Sequence, residues 1–268
     1  MDGVKPRLTS ATPFNSTALV RLLAGLGLGD GAPSPLTLAE RWSPWLAWTD
    51  AIALSAVMGP VVVPVMGPAI GPVMGPGPAA AGVEVGADRA IRASAAAAAD
   101  ACRCLRQELS AAITRDPVLA AAPQRMARAA PAQPAQPSPA ADMPPMDPAD
   151  FSALRRQYQT HQQAMDTRIG ALRGQLRSAL QSGPPALARL AALDAVLDGA
   201  LAGRQRQLLA SVPGWLDQHF KRRPPTLAAA TVGLQRALLA ELDLRLLPLQ
   251  GLVDALAQTA ADAPGPRP

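Results

Sequence analysis

The residues best suited to bind metal or form a disulfide are two cysteines, Cys102 and Cys104, and two histidines, His161 and His219. A structural zinc site needs four such ligands, usually as two spaced pairs. Here no second cysteine pair exists and the histidines stand far from the first, so no metal site is expected. Residues two apart on a helix point in different directions, which disfavours a bridge between the thiols. Reduced, structural cysteines in a cytoplasmic setting are the expectation. Among carboxylates, Glu241 and Asp243 sit two apart in a Leu-rich helix with Arg245. Two carboxylates at that spacing do not face one site, so an acid–base pair is not expected. Glu241 and Arg245 form an i, i+4 pair worth a few tenths of a kcal/mol, and a salt bridge to an arginine on a neighbouring helix is the better role. His161 falls on an apolar stripe. A ligand or switch role is weighed against a register-setting or partly exposed histidine, and the second is favoured because no partner ligand lies near in sequence.

Phosphate and nucleophile motifs are absent as well: no P-loop, no Gly-rich dinucleotide turn after a strand, no His-Glu-x-x-His, no nucleophile elbow. The Gly-x-Gly runs at residues 25–31 end a helix. The expectation is therefore a chain with no catalytic residue, no cofactor and no metal, and not an enzyme.

Two groups remain as recognition candidates. Trp42, Trp45 and Trp48 recur at three-residue spacing, with Ile52 following on the same face. Tryptophan anchors many interfaces, yet the commoner fate of such large rings is burial between helices. Core between the first two helices is the favoured reading and an interface anchor the sharper one. The basic candidates are Arg155, Arg156, Arg168, Arg173 and Arg177 on one helix, with only Asp166 opposing, and the run Lys221-Arg222-Arg223 at a helix end. These could contact phosphate. Helix capping and solvation are the plainer account of the three-residue run.

The elements that would position these residues are all helical. Aromatics make up only 3% of the chain, and the large apolar residues recur at helical spacing rather than in alternation. Six helical blocks are expected: about Ser16–Gly29, about Ser34–Met58 with a break near Pro44, about Ala87–Arg115, Pro148 to about Gln181, Pro185 to about Phe220 with Pro213 kinking or dividing it, and about Thr226–Ala260 with a bend at Pro248. The fold class is all-α: an antiparallel bundle of long helices, an N-terminal helical segment and disordered Pro/Ala-rich linkers. The divisions are a helical segment at 1–58, a Gly/Pro low-complexity linker at 59–86, an Ala-rich helix at 87–115, a Pro/Ala-rich linker at 116–147 and a three-helix bundle at 148–262. Within the first linker Val-Met-Gly-Pro recurs at 57–60, 65–68 and 73–76, a unit too short and too Pro-rich to stack as a solenoid. The uncharged stretch 51–83 is long enough to cross a bilayer. Prolines at every fourth position from Pro60 to Pro76 would strip a spanning helix of hydrogen bonds at about 3 kcal/mol each, so no membrane span is expected. Net charge is +5, and from Asp147 onward 14 basic residues face 10 acidic ones, a surplus too mild to imply nucleic acid by itself.

Four segments together carry a family likeness: Ala18-Leu-Val-Arg-Leu-Leu23, Trp45-Leu-Ala-Trp-Thr-Asp-Ala-Ile-Ala-Leu-Ser55, Ala188-Arg-Leu-Ala-Ala-Leu-Asp194 and Leu239-Ala-Glu-Leu-Asp-Leu-Arg245. In these the chain resembles the bacterial domain-of-unknown-function family DUF3348. The likeness covers both helical blocks and skips the Val-Met-Gly-Pro repeats, which look like a local expansion. It supplies no catalytic residues. It implies a cytoplasmic accessory of an envelope-associated complex, since members tend to be encoded beside membrane proteins and a peptidoglycan-binding protein. The functional expectation is a non-catalytic helical interaction or scaffold protein, self-associating or docking on a helical partner. Nucleic-acid binding through the arginine-rich helix faces is the alternative.

Overall fold

A computed structural model describes residues 17–28, 46–59, 78–119 and 148–262. Among these the chain is all-α, with helices α1 (Ala18–Gly25), α2 (Trp48–Met58), α3 (Pro78–Thr114), α4 (Pro148–Gln181), α5 (Pro185–Ala210), α6 (Val212–Arg222) and α7 (Leu227–Asp262). Most of the expected linkers, 60–77 and 120–147, lie outside the described residues.

Local chemistry sets the ends. The Thr17 hydroxyl accepts from the Val20 N–H at 3.4 Å and opens α1. Gly27, at φ +70°, closes it. The Leu28 N–H reaches the Leu23 carbonyl and the Gly27 N–H the Ala24 carbonyl, both at 2.9 Å, the two bonds of a Schellman ending that needs a left-handed residue. Helix α3 begins earlier than the sequence reading places it, so 78–86 is helix rather than linker. Pro78 suits a first helical position, where its missing N–H costs nothing, and three alanines follow.

At the other end of α3, Asp116 is part of the fold and not the first residue of a linker. Its Oδ1 accepts from the N–H groups of Val118 (2.8 Å) and Leu119 (3.1 Å), starting a new helical turn that buries Leu119.

Cross-helix contacts fix the topology. Arg92 reaches the Ala260 carbonyl and Arg106 the Asp243 carboxylate, so α3 and α7 run antiparallel. Asp116 meets His161, and Glu108 meets Arg168, so α3 and α4 are antiparallel too. The Ser182–Pro184 turn reverses the chain into α5, and α6 with the turn at 223–226 returns it into α7. Helices α3, α4, α5 with α6, and α7 thus form an up-and-down bundle. The α3 seam is Ala95, Ala98, Cys102, Leu105, Leu109 and Ile113, at spacings of three or four. Helix α4 contributes Phe151, Leu154, Tyr158, Met165, Ile169, Leu176 and Leu180, at the helical spacing expected of its apolar residues. All belong to one contiguous core with α7 and with Leu19 of α1. Helix α1 packs on α7, and α2 lies on α5 without burying a single residue completely.

Pro213 divides the fifth block. It has no N–H to donate to the Leu209 carbonyl four residues back, so α5 stops at Ala210 and α6 starts at Val212. Pro248, by contrast, lies inside a continuous α7.

Candidate functional site: a buried polar network and the cleft beside it

The bundle interior is not apolar throughout. Glu241, fully buried in α7, sits at the centre of a polar network joining α4, α5 and α7. The Tyr158 hydroxyl donates to Oε2 at 2.9 Å. Gln162 Nε2 donates to the same carboxylate at 3.0–3.1 Å and to the Leu209 carbonyl at 2.8 Å. That carbonyl lacks the i+4 donor that Pro213 cannot supply; it takes a backbone N–H at the end of α5, and Gln162 adds a second donor from the neighbouring helix. Arg245 donates from Nε (2.8 Å) and Nη2 (2.6 Å) to Glu241 Oε1 and from Nη1 to Asp166. Burial, then the Glu241 charge and the hydrogen bond to it, hold the Tyr158 phenol well above its usual pKa. Tyr158 is therefore a neutral donor. With both oxygens saturated by donors, Glu241 has no lone pair aimed at open space, and the arrangement stabilises a fixed carboxylate rather than transferring a proton.

A second cluster lies nearer the α4–α5 turn. Arg173 grips Asp194 through Nε (2.9 Å) and Nη2 (2.6 Å) and Asp198 through Nη1 (2.6 Å). Arg177 pairs with Asp198 and stands 3.0 Å from Asp194, its Nε close to the carboxylate but not aligned for a hydrogen bond. Two arginines on one helix thus alternate with two aspartates on the next. A third group ties the α3 end: Gln157 and His161 Nε2, the latter at 2.9 Å, both meet Asp116 Oδ2. Burial raises the Asp116 pKa, but hydrogen bonds from the Leu119 N–H, Gln157, His161 and the Val118 N–H outweigh it and hold the carboxyl below its usual value. The ionised aspartate can only accept, so His161 Nε2 carries the proton of that bond.

Beside the network the bundle opens. A cleft of about 410 Å³ runs between α5 and α7, walled mainly by leucines. It joins a smaller recess of about 150 Å³ lined by Asp166, Arg173, Asp198, Arg206 and Arg245.

Several expectations are corrected by this geometry. Arg173 and Arg177 are not a basic surface: their side chains are only 14% and 21% exposed and are neutralised by aspartates from α5. Arg168 pairs with Glu108 of α3, so Asp166 is not the only acid opposing that helix. Glu241 and Arg245 form a buried pair rather than a surface one. Asp243 does bridge to an arginine of a neighbouring helix, Arg106, at 2.8 Å. His161 is buried against the Asp116 carboxylate, which fits the register-setting half of its expected role and not the partly exposed one. Trp48 is not core: it is 79% exposed. Trp42 and Trp45 lie outside the described residues. Arg155, Arg156, Lys221, Arg222 and Arg223 are exposed, Lys221 paired with Asp217 at 2.9 Å. Cys102 and Cys104 are free thiols, one buried and one exposed, and burial raises the Cys102 pKa. Among the described residues no group of three or more His, Cys, Asp or Glu is arranged to hold a metal. None of the described helices is long and apolar enough to cross a membrane.

The sequence reading missed Gln162, Asp194 and Asp198, and took Tyr158 only as an apolar stripe residue. A signal existed for the aspartates. Asp194 and Asp198 are four apart, as are Arg173 and Arg177, on consecutive antiparallel helices, a spacing that lets the two pairs interlock.

The class these features define is an all-α bundle whose interior charges are matched across helices. The chain belongs to the family described as Protein of unknown function (DUF3348), whose model matches residues 6–70 and 79–231. The match runs through two of the three Val-Met-Gly-Pro repeats and skips only 71–78, so the repeats are not a wholesale insertion into the family pattern. It stops at residue 231, and the Leu239–Arg245 segment with Glu241 and Arg245 lies beyond it. No curated protein and no solved structure matches the chain.

Proposed function

We propose that the protein is a non-catalytic helical interaction protein that associates through α2, either with a second copy of itself or with another helical partner. The observation that carries this reading is the outer face of α2. Trp48 and Ile52, four residues apart on that face, are 79% and 53% exposed, while the helix rests on α5 without one fully buried residue. A short helix held this lightly is a poor contributor to the core, and its large apolar side chains point away from it. The saturated Glu241 carboxylate and the arginine-paired Asp194 and Asp198 support the non-catalytic part, because each is held by donors of the bundle itself. A cytoplasmic location belongs to the same proposal, supported by two free thiols. The setting as accessory to an envelope-associated complex rests on the family likeness alone.

Sedimentation velocity on the full chain, together with crosslinking in cells from a photoreactive residue at position 52, tests it. Expected is concentration-dependent self-association or a discrete crosslinked complex, lost in Trp48→Ala/Ile52→Ala with the thermal melt unchanged. A chain that stays monomeric and forms no crosslink ends the proposal.

One observation favours nucleic acid as a second reading. Phe151 and Phe220 meet edge-on at 5.8 Å, bringing the start of α4 and the end of α6 together. Arg155, Arg156 and Lys221-Arg222-Arg223 therefore gather at one end of the bundle. Retention on duplex DNA at low salt that falls steeply as salt rises would support it, and no retention at low salt removes it.

A further inference from the structure

The cleft between α5 and α7 is long and leucine-walled, with the Arg173, Asp194 and Asp198 ion pairs at its Leu197 end and Gln205 near its Leu208 end. Leu197, Leu201 and Leu208 form the α5 wall, and Leu244 and Leu247 the α7 wall. From Leu197 to Leu208 the helix advances about 16 Å, so the apolar space is a channel rather than a round pocket. No aromatic ring lines it, and its volume falls within the usual range for small-molecule sites. Leu208 and Leu247 are 38% and 45% exposed, an unusual state for leucines that flank a cavity in a bundle this well packed.

Most of the charge along the cleft and its adjoining recess is already paired. Arg173 is committed to Asp194 and Asp198, and Arg245 to Glu241 and Asp166. Arg206, two turns beyond Asp198 on α5, also lines the recess and has no acceptor among the described residues. Gln205, beside it, lines both cavities and brings an amide donor. The one uncommitted charge among these lining residues is therefore the Arg206 guanidinium, in the recess beside the Leu208 end of the channel, which calls for an anionic group there. A docked α-helix, about 10 Å or more across with its side chains, is a worse match to this narrow recess than a single hydrocarbon chain.

We propose that this cleft binds a free long-chain carboxylate, its acyl chain lying along the leucine walls and its head held by Arg206 and Gln205. Burial of the methylenes supplies the drive, and the guanidinium sets the orientation by a charge-assisted, forked contact with the carboxylate. The site is separate from the exposed face of α2, and the inference does not depend on the proposed association there.

The test is titration calorimetry of the full, delipidated chain with dodecanoate below its micelle concentration, with butanoate and dodecanol as controls, and native mass spectrometry for stoichiometry. Expected is one dodecanoate per chain, binding tighter than dodecanol, with butanoate undetected. Arg206→Ala, at an exposed position that leaves the core intact, should weaken dodecanoate by roughly tenfold and bring it level with dodecanol. Leu247→Gln, also exposed, should weaken both long-chain ligands together. The proposal is overturned by no binding of dodecanoate, by several bound per chain, or by affinity indifferent to both substitutions. It is also overturned if a leucine-rich amphipathic peptide occupies the cleft while dodecanoate does not.

Discussion

Two ion-pair clusters lie between the long helices, and they use the same ingredients differently. Around Glu241 water is excluded: the carboxylate has no exposure and the Arg245 side chain 6%. The network there recruits neutral donors, Tyr158 and Gln162, until both oxygens are saturated. Around Asp194 and Asp198 the four side chains keep 11–28% of their exposure, and two arginines answer two aspartates without a neutral side chain. A buried charge must have its full hydrogen-bonding capacity met by protein, whereas one near the surface can leave the remainder to water. The number of auxiliary donors therefore tracks burial, not the number of charges.

The sharpest way to break that comparison is to remove the centre of each cluster. Glu241→Ala leaves the buried Arg245 with Asp166 as its one acid, Gln162 with the Leu209 carbonyl alone and the Tyr158 hydroxyl with no acceptor, and should cost about 3–5 kcal/mol in urea unfolding. Replacing the whole set at once (Tyr158→Phe, Gln162→Leu, Glu241→Leu, Arg245→Met) should recover most of the loss, since the desolvated charges vanish together. The residual deficit should be about 0.5–1.5 kcal/mol, because the Leu209 carbonyl then loses its side-chain donor and keeps only the backbone N–H at the end of α5. Arg173→Ala should cost less, about 1–3 kcal/mol, as Arg177 still holds Asp198 and water reaches the rest. Equal losses at Glu241 and Arg173 would show that burial does not separate the clusters.

A smaller and cleaner readout comes from Tyr158, the chain's single tyrosine. Its pKa is raised in the fold. For an acid neutral when protonated, that contribution is fully present below the unfolded value of about 10 and is lost as pH rises above it. Phenolate absorbance should therefore appear only together with alkaline unfolding, detected by circular dichroism. A phenolate signal in the still-folded chain would mean that water reaches the Glu241 network.

The seams of α4 and α7 were legible because leucines at spacings of three and four leave little choice of face. So was the Pro213 break, since a missing N–H is a local property. The role of Glu241 was not legible. Its i, i+4 partner Arg245 is in view along the chain, but the donors that convert the pair into a buried network, Tyr158 and Gln162, lie about 80 residues away on another helix. Arg173 and Arg177 misled for the same reason: a row of arginines on one helix looks like a basic face until the acids of the next helix are placed against it. Trp48 failed in the opposite sense. Its size argued for burial, but among the described residues α2 rests mainly on α5 and leaves Trp48 79% exposed.

The smallest expected effect sets the floor of the comparison. Arg168 and Glu108 pair across α4 and α3 with side chains 43% and 59% exposed. Both ions keep most of their hydration there, so forming the pair gains little Coulomb energy and costs side-chain entropy. Arg168→Ala should shift stability by no more than about 1 kcal/mol, and 0.5 M salt should erase part of even that difference. The same salt should leave the cost of Glu241→Ala nearly unchanged, because counterions do not reach a carboxylate with no exposed surface. A salt-insensitive loss at Arg168 as large as that at Arg173 would place the α3–α4 contact inside the bundle's sealed interior and shift the boundary drawn between the clusters.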